Sequence, residues 1–129
     1  MRPIRNGFTL VELLVVILIV GILAAVGVAK FASTKDRAFL TTMKADLRNL
    51  ATAQEAFLHD QGTYYGGPLP DAGLAFAPST AVSLSLAGVT QSGWQATATH
   101  SQTTRVCAIF QGTASPVYPA TKEGVPACD

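Results

Sequence analysis

The chain has 129 residues, room for one domain rather than two. Charged residues make up 13% and hydrophobic residues 49%, which excludes a disordered tail and fits poorly with an ordinary soluble enzyme. Nine Lys and Arg against eight Asp and Glu give +1, no electrostatic footprint for nucleic acid. Two cysteines, Cys107 and Cys128, permit one disulfide and are too few for a structural zinc site.

The apolar excess sits near the N-terminus. Leu13 to Ala29 carries no charge, and as a helix it would span roughly 25 Å, the short end of what crosses a bilayer. Extending the run back to Phe8 admits a single acid, Glu12. Arg2 and Arg5 precede it, which places that end on the cytoplasmic side. A secretory signal would read the same basic start and a small-x-small site at Gly27-Val28-Ala29. Its apolar region would be too long, however, and an acid at its leading edge is hard to explain.

A carboxylate so close to an apolar core costs on the order of 2 kcal/mol or more without a partner. No Lys, Arg or His lies between Phe8 and Ala29. A cut just before Phe8 would create the missing cation, a new α-amino group four residues from Glu12 or facing the Glu12 of a neighbouring chain.

Gly7-Phe8-Thr9-Leu10-Val11-Glu12-Leu13 followed by an apolar run strongly resembles the class III signal of type IV prepilins and pseudopilins. The resemblance covers roughly Met1 to Phe31. It implies cleavage between Gly7 and Phe8 by a prepilin peptidase, N-methylation of Phe8, and neutralisation of a neighbour's N-terminus by Glu12. In that family Gly7 is required because only a residue without a side chain fits the peptidase. Family members usually carry a proline where this chain has Ala29, so here Gly21 and Gly27 are the weak points of the helix.

Beyond the apolar run, Leu40, Met43, Leu47, Leu50, Gln54 and Phe57 recur at spacings of three and four, beside Ala51 and Ala53. Lys35, Asp36, Lys44, Asp46, Arg48, Glu55 and Asp60 lie largely off that stripe. No proline falls between Arg5 and Pro68, which allows one helix from about Phe8 to Gln61, stopped by Gly62. Gly62 to Pro78, rich in glycine and proline, reads as a loop. The period then changes to two. Val82 to Leu86, Trp94 to His100 and Val106 to Phe110 predict three antiparallel strands packed on the helix. Thr113 to Asp129, with Pro116, Pro119 and Pro126, is expected to be irregular.

The fold class is therefore α+β: a long N-terminal helix, transmembrane then amphipathic, on a small antiparallel sheet. The expected divisions are a leader at 1–7, a membrane or filament-core helix at 8–29, an amphipathic helix at 30–61, and loop plus sheet at 62–129. A domain outside the inner membrane matures where disulfides form, and a Cys107–Cys128 bridge could add roughly 3 kcal/mol. The pair is not Cys-x-x-Cys, which argues against a redox role. Its placement also resembles the disulfide-bounded C-terminal region of type IV pilins.

Ala72 to Thr104 contains no Asp, Glu, Lys or Arg. This neutral stretch reads equally as a surface packed or glycosylated in a filament and as a plain polar β-surface. No catalytic constellation, phosphate loop or nucleophile elbow is present. His59 and His100 read as surface or packing residues, Asp60 and Asp71 are weak evidence for calcium, and no metal or cofactor is expected.

The resemblance implies a structural pilus subunit, a major pilin, that polymerises through its N-terminal helix. Its implied partners are further copies of itself, the prepilin peptidase, and an assembly platform with its ATPase. The precursor would reside in the bacterial inner membrane and the assembled subunit in a surface pilus. A minor pilin or a type II secretion pseudopilin is the alternative, and an exported soluble binding module is the reading from another class.

Overall fold

A computed structural model describes residues 7–129; Arg2 and Arg5, and with them the expected membrane orientation, lie outside the described residues. Helix α1 runs Leu10–Gln61 without a break at Gly21 or Gly27. It starts two residues later than the composition suggests, because Thr9 serves as its N-cap. It ends where Gly62 adopts φ +70°, a left-handed conformation that glycine takes without steric cost. From there the Gly62 N–H donates to the Leu58 carbonyl at 2.8 Å and closes the last turn.

The chain divides into two compact units, Met1–Lys35 and Asp36–Asp129. In the first, every described side chain from residue 7 onward is exposed, including the whole apolar series from Leu10 to Val28. Such a surface has no cover among the described residues and calls for lipid or another helix.

The second unit holds the core. Strands β1 (Val82–Ala87), β2 (Gly93–His100), β3 (Val106–Gly112) and β4 (Ala127–Cys128) form one antiparallel sheet in chain order. The register sets Ala98 between Leu84 and Cys107, and Ala96 between Leu86 and Ile109. These residues cluster with Met43, Leu47 and Leu50 of α1 and with Trp94, all four fully buried. His100 is a packing histidine, its ring stacked on Phe39 at 4.2 Å between centroids.

Two expectations are corrected. The segment after Thr113 is not wholly irregular, because β4 pairs with β3 and Cys128 lies directly opposite Cys107. The segment also covers the second face of β3, where Ala120 and Val117 pack on Ala108 and Phe110. Asp46, placed off the apolar stripe by its charge, is buried instead. Its carboxylate accepts the Ser79 N–H at 2.9 Å and the Ser79 hydroxyl at 2.8 Å, fixing the chain as it enters β1.

Gln54 has an equally specific reason to sit on the stripe. Its amide donates to the Tyr65 carbonyl at 2.9 Å and accepts from the Tyr65 N–H at 2.8 Å, replacing a strand partner for the exit loop. Further along that loop the Gly73 N–H, and after it the Tyr65 hydroxyl, hold the exposed Asp71 carboxyl below its ordinary pKa.

Ala81 adopts φ +67°, which costs a side-chain-bearing residue about 1 kcal/mol or more. Ala81→Gly is therefore expected to raise stability by about 0.5–1 kcal/mol, read as an increased thermal midpoint of the full chain in detergent. A lower midpoint would show that the left-handed turn before β1 is not strained.

Candidate processing and assembly site

The residues singled out near the N-terminus come together at the start of α1. Gly7 and Phe8 precede the helix and are exposed, Phe8 by 76%. A Cβ built on Gly7 would meet nothing within 4 Å among the described residues, so packing against them gives no reason for glycine there.

Thr9 and Glu12 form a reciprocal cap. The Thr9 N–H donates to Glu12 Oε2 at 2.8 Å, and the Thr9 hydroxyl donates to the same oxygen at 2.7 Å. In return the Glu12 N–H donates to Thr9 Oγ1 at 3.3 Å. Two N–H groups that a helix start leaves orphaned are thereby satisfied, and the carboxylate stands at the positive end of the helix dipole. Glu12 is thus not without donors in its own chain, although no cation meets it among the described residues. The signal for this was legible: Thr-x-x-Glu just before an apolar run is the spacing of a capping box.

The cap turns Glu12 toward the start of the chain, one peptide beyond the Gly7–Phe8 bond. Glu12 Oε2 is fully engaged by Thr9, while Oε1 accepts no hydrogen bond among the described residues. One carboxylate can therefore hold its own helix end and still accept from an amine outside the chain.

The remaining site residues lie in the second unit. Cys107 and Cys128 form a disulfide across β3 and β4. Beside it Arg105 reaches Asp129 at 3.4 Å and Asp36 at 3.9 Å, and Asp36 also accepts the Thr103 hydroxyl at 2.7 Å. These contacts tie the first residue of the unit to the β2–β3 turn and to β4. They were not foreseen, since nothing local in the sequence relates positions so far apart. Among the described residues no three His, Cys, Asp or Glu side chains gather as a metal site.

Residues 2–28 match the prokaryotic N-terminal methylation motif. The chain carries the N-terminal motif of type IV pilins and pseudopilins. It is 39% identical over 63 residues to the type IV major pilin PilA of Myxococcus xanthus, covering 49% of this chain and 29% of that protein. It is 40% identical over 63 residues to the type II secretion system core protein G of Pseudomonas aeruginosa, covering 49% of this chain and 44% of that protein. The type IV wide pilus major component PilA4 of Thermus thermophilus is 41% identical over 59 residues, 46% of this chain and 45% of its own length. The matches thus span less than half the length of these relatives, and pilin and pseudopilin relatives align equally well.

Proposed function

We propose that this chain is a structural subunit of a type IV pilus, a major pilin cut before Phe8 and assembled through its N-terminal helix. One observation carries the reading: a methylation motif opens a helix whose described apolar residues find no cover within the chain. In the membrane that surface meets lipid; in a filament it meets neighbouring helices, an exchange that gains little hydrophobic energy by itself. Register must then come from polar groups, and Glu12 is the acid available. Its free oxygen accepts the methylated Phe8 amine of an adjacent subunit, while its other oxygen stays on Thr9.

The glycines support the same reading. A Cβ at Gly7, Gly21 or Gly27 would meet nothing within 4 Å among the described residues, yet each helical glycine costs about 1 kcal/mol relative to alanine. At Gly7 the reason lies in the peptidase cleft, and at Gly21 and Gly27 in the approach of other helices. The relatives are named as pilus and type II secretion components, which supports a subunit that an assembly platform and ATPase would draw from an inner-membrane pool. The similarity to protein G supports a second reading, a pseudopilin of a shorter periplasmic filament.

Intact-mass and N-terminal analysis of material sheared from the cell surface, beside the membrane fraction, tests both. Abundant sheared chain beginning at N-methyl-Phe8 is expected for the major pilin, and confinement to the membrane would select the pseudopilin. Gly7→Val is expected to leave only membrane-bound precursor, because a branched side chain would block the peptidase. Mature Phe8 termini in that variant would refute the assigned cleavage.

A further inference from the structure

Two surface features of the second unit are unaccounted for by the reading above. The first is Tyr118, 78% exposed; the only other exposed large apolar residue in this unit is Val125, on the same segment between β3 and β4. The second is a groove of about 490 Å³ between α1 and the segment 73–75, lined by Ala53, Ala56, Phe57, Leu74 and Asp60 among others.

Tyr118 is not on a loose loop. Ala120 N–H donates to the Val117 carbonyl at 2.7 Å, which closes a turn around it. Val117 and Ala120 on either side pack down on Ala108 and Phe110. Gly124 N–H donates to the Phe110 carbonyl at 2.9 Å, and Glu123 accepts the Gly112 N–H at 2.7 Å. An exposed phenol held so firmly loses little freedom on docking, the condition under which an aromatic anchor contributes most.

We propose that Tyr118 of one copy seats in this groove of the next copy, with Lys122 brought toward Asp60. The groove has room for a phenol ring and offers apolar walls to its faces. The charges are complementary: Lys122 lies on the same exposed segment as Tyr118, and Asp60 is an acid of the groove. Knob and groove are different patches of one chain, so the contact is heterologous and propagates instead of closing into a two-fold dimer. It names the partner surface of the filament proposed above and rests on that reading, but its test separates the two.

The full chain carrying Lys122→Cys together with Asp60→Cys, which keeps Tyr118 and Ala56, is treated in its own cells with a short bis-maleimide and run on denaturing gels. A ladder of covalent multimers is expected, absent from either single variant, with the Cys107–Cys128 bridge verified by mass. No ladder in either the sheared or the membrane fraction overturns the contact, as does a product that stops at dimer. A ladder confined to the membrane, with nothing sheared from the surface, leaves the contact standing and overturns the major-pilin reading alone. Tyr118→Ala and Ala56→Trp are each expected to lower sheared filament at least about tenfold, and the double variant no further, because both act on one contact. Wild-type yields from Tyr118→Ala would also overturn it.

Discussion

Glu12→Ala should produce a chain that is cut before Phe8 and methylated, yet enters filaments on the order of a hundredfold less well. The magnitude follows from leaving the Phe8 amine of a neighbour buried without its anion, a loss of about 3 kcal/mol or more. Processing is spared because the Gly7–Phe8 bond lies outside the cap and both residues are exposed. Thr9→Val is the informative comparison. It removes the hydroxyl that donates to Glu12 Oε2 at 2.7 Å but keeps the carboxylate and the backbone donor. Loss of a cap costs about 1 kcal/mol, so a several-fold decline is expected rather than a hundredfold one. Filament recovered by shearing, normalised to mature chain in the membrane, distinguishes the two. Normal yield from Glu12→Ala would remove the pairing argument, and a larger defect in Thr9→Val would mean that the cap outweighs the charge.

The largest expected effect on stability lies in the core of the second unit. Trp94 is fully buried, with Tyr64 edge-on at 6.4 Å, and its indole N–H finds no acceptor among the described residues. Trp94→Ala should cost about 3–5 kcal/mol, since the hole left beside Met43 and Leu50 can close only in part. For a unit of this size that corresponds to a fall of more than about 12 °C in the thermal midpoint of the full chain in detergent. Trp94→Phe should recover most of this loss, because it restores ring area and removes an unpaired donor. Equal destabilisation by the two substitutions would show that the indole nitrogen makes a contact worth as much as the ring itself.

Much of this architecture was legible in the sequence, and what escaped it did so for identifiable reasons. Periodicity located the amphipathic half of α1 and strands β1 and β2, each with one face toward the core, while β3, covered on both faces, showed as a continuous apolar stretch, and Gly62 marked the helix stop by its conformational freedom. Strand β4 was missed because Ala127–Cys128 is too short to show any period; its pairing is set by register with Cys107. Asp46 was misplaced because charge is a local property, whereas the Ser79 donors that permit its burial arrive from elsewhere in the chain. At the start of α1 the reverse held. Gly7, Phe8 and Glu12 were recognised as a motif, while the Thr9–Glu12 cap, readable from spacing alone, was overlooked by looking only for a cation.

The bridge between β3 and β4 has a consequence for how this surface can change over generations. With Cys107 and Cys128 joined opposite each other, the chain between them is a closed cassette whose ends no longer depend on its contents. Lengthening such a loop is cheap, since each doubling costs only about 0.6 kcal/mol in closure entropy. The sheet beneath would keep its register through such insertions. Descendants of this chain are thus free to rewrite the outward side of that cassette, provided that residues in the places of Val117 and Ala120 still cover Phe110.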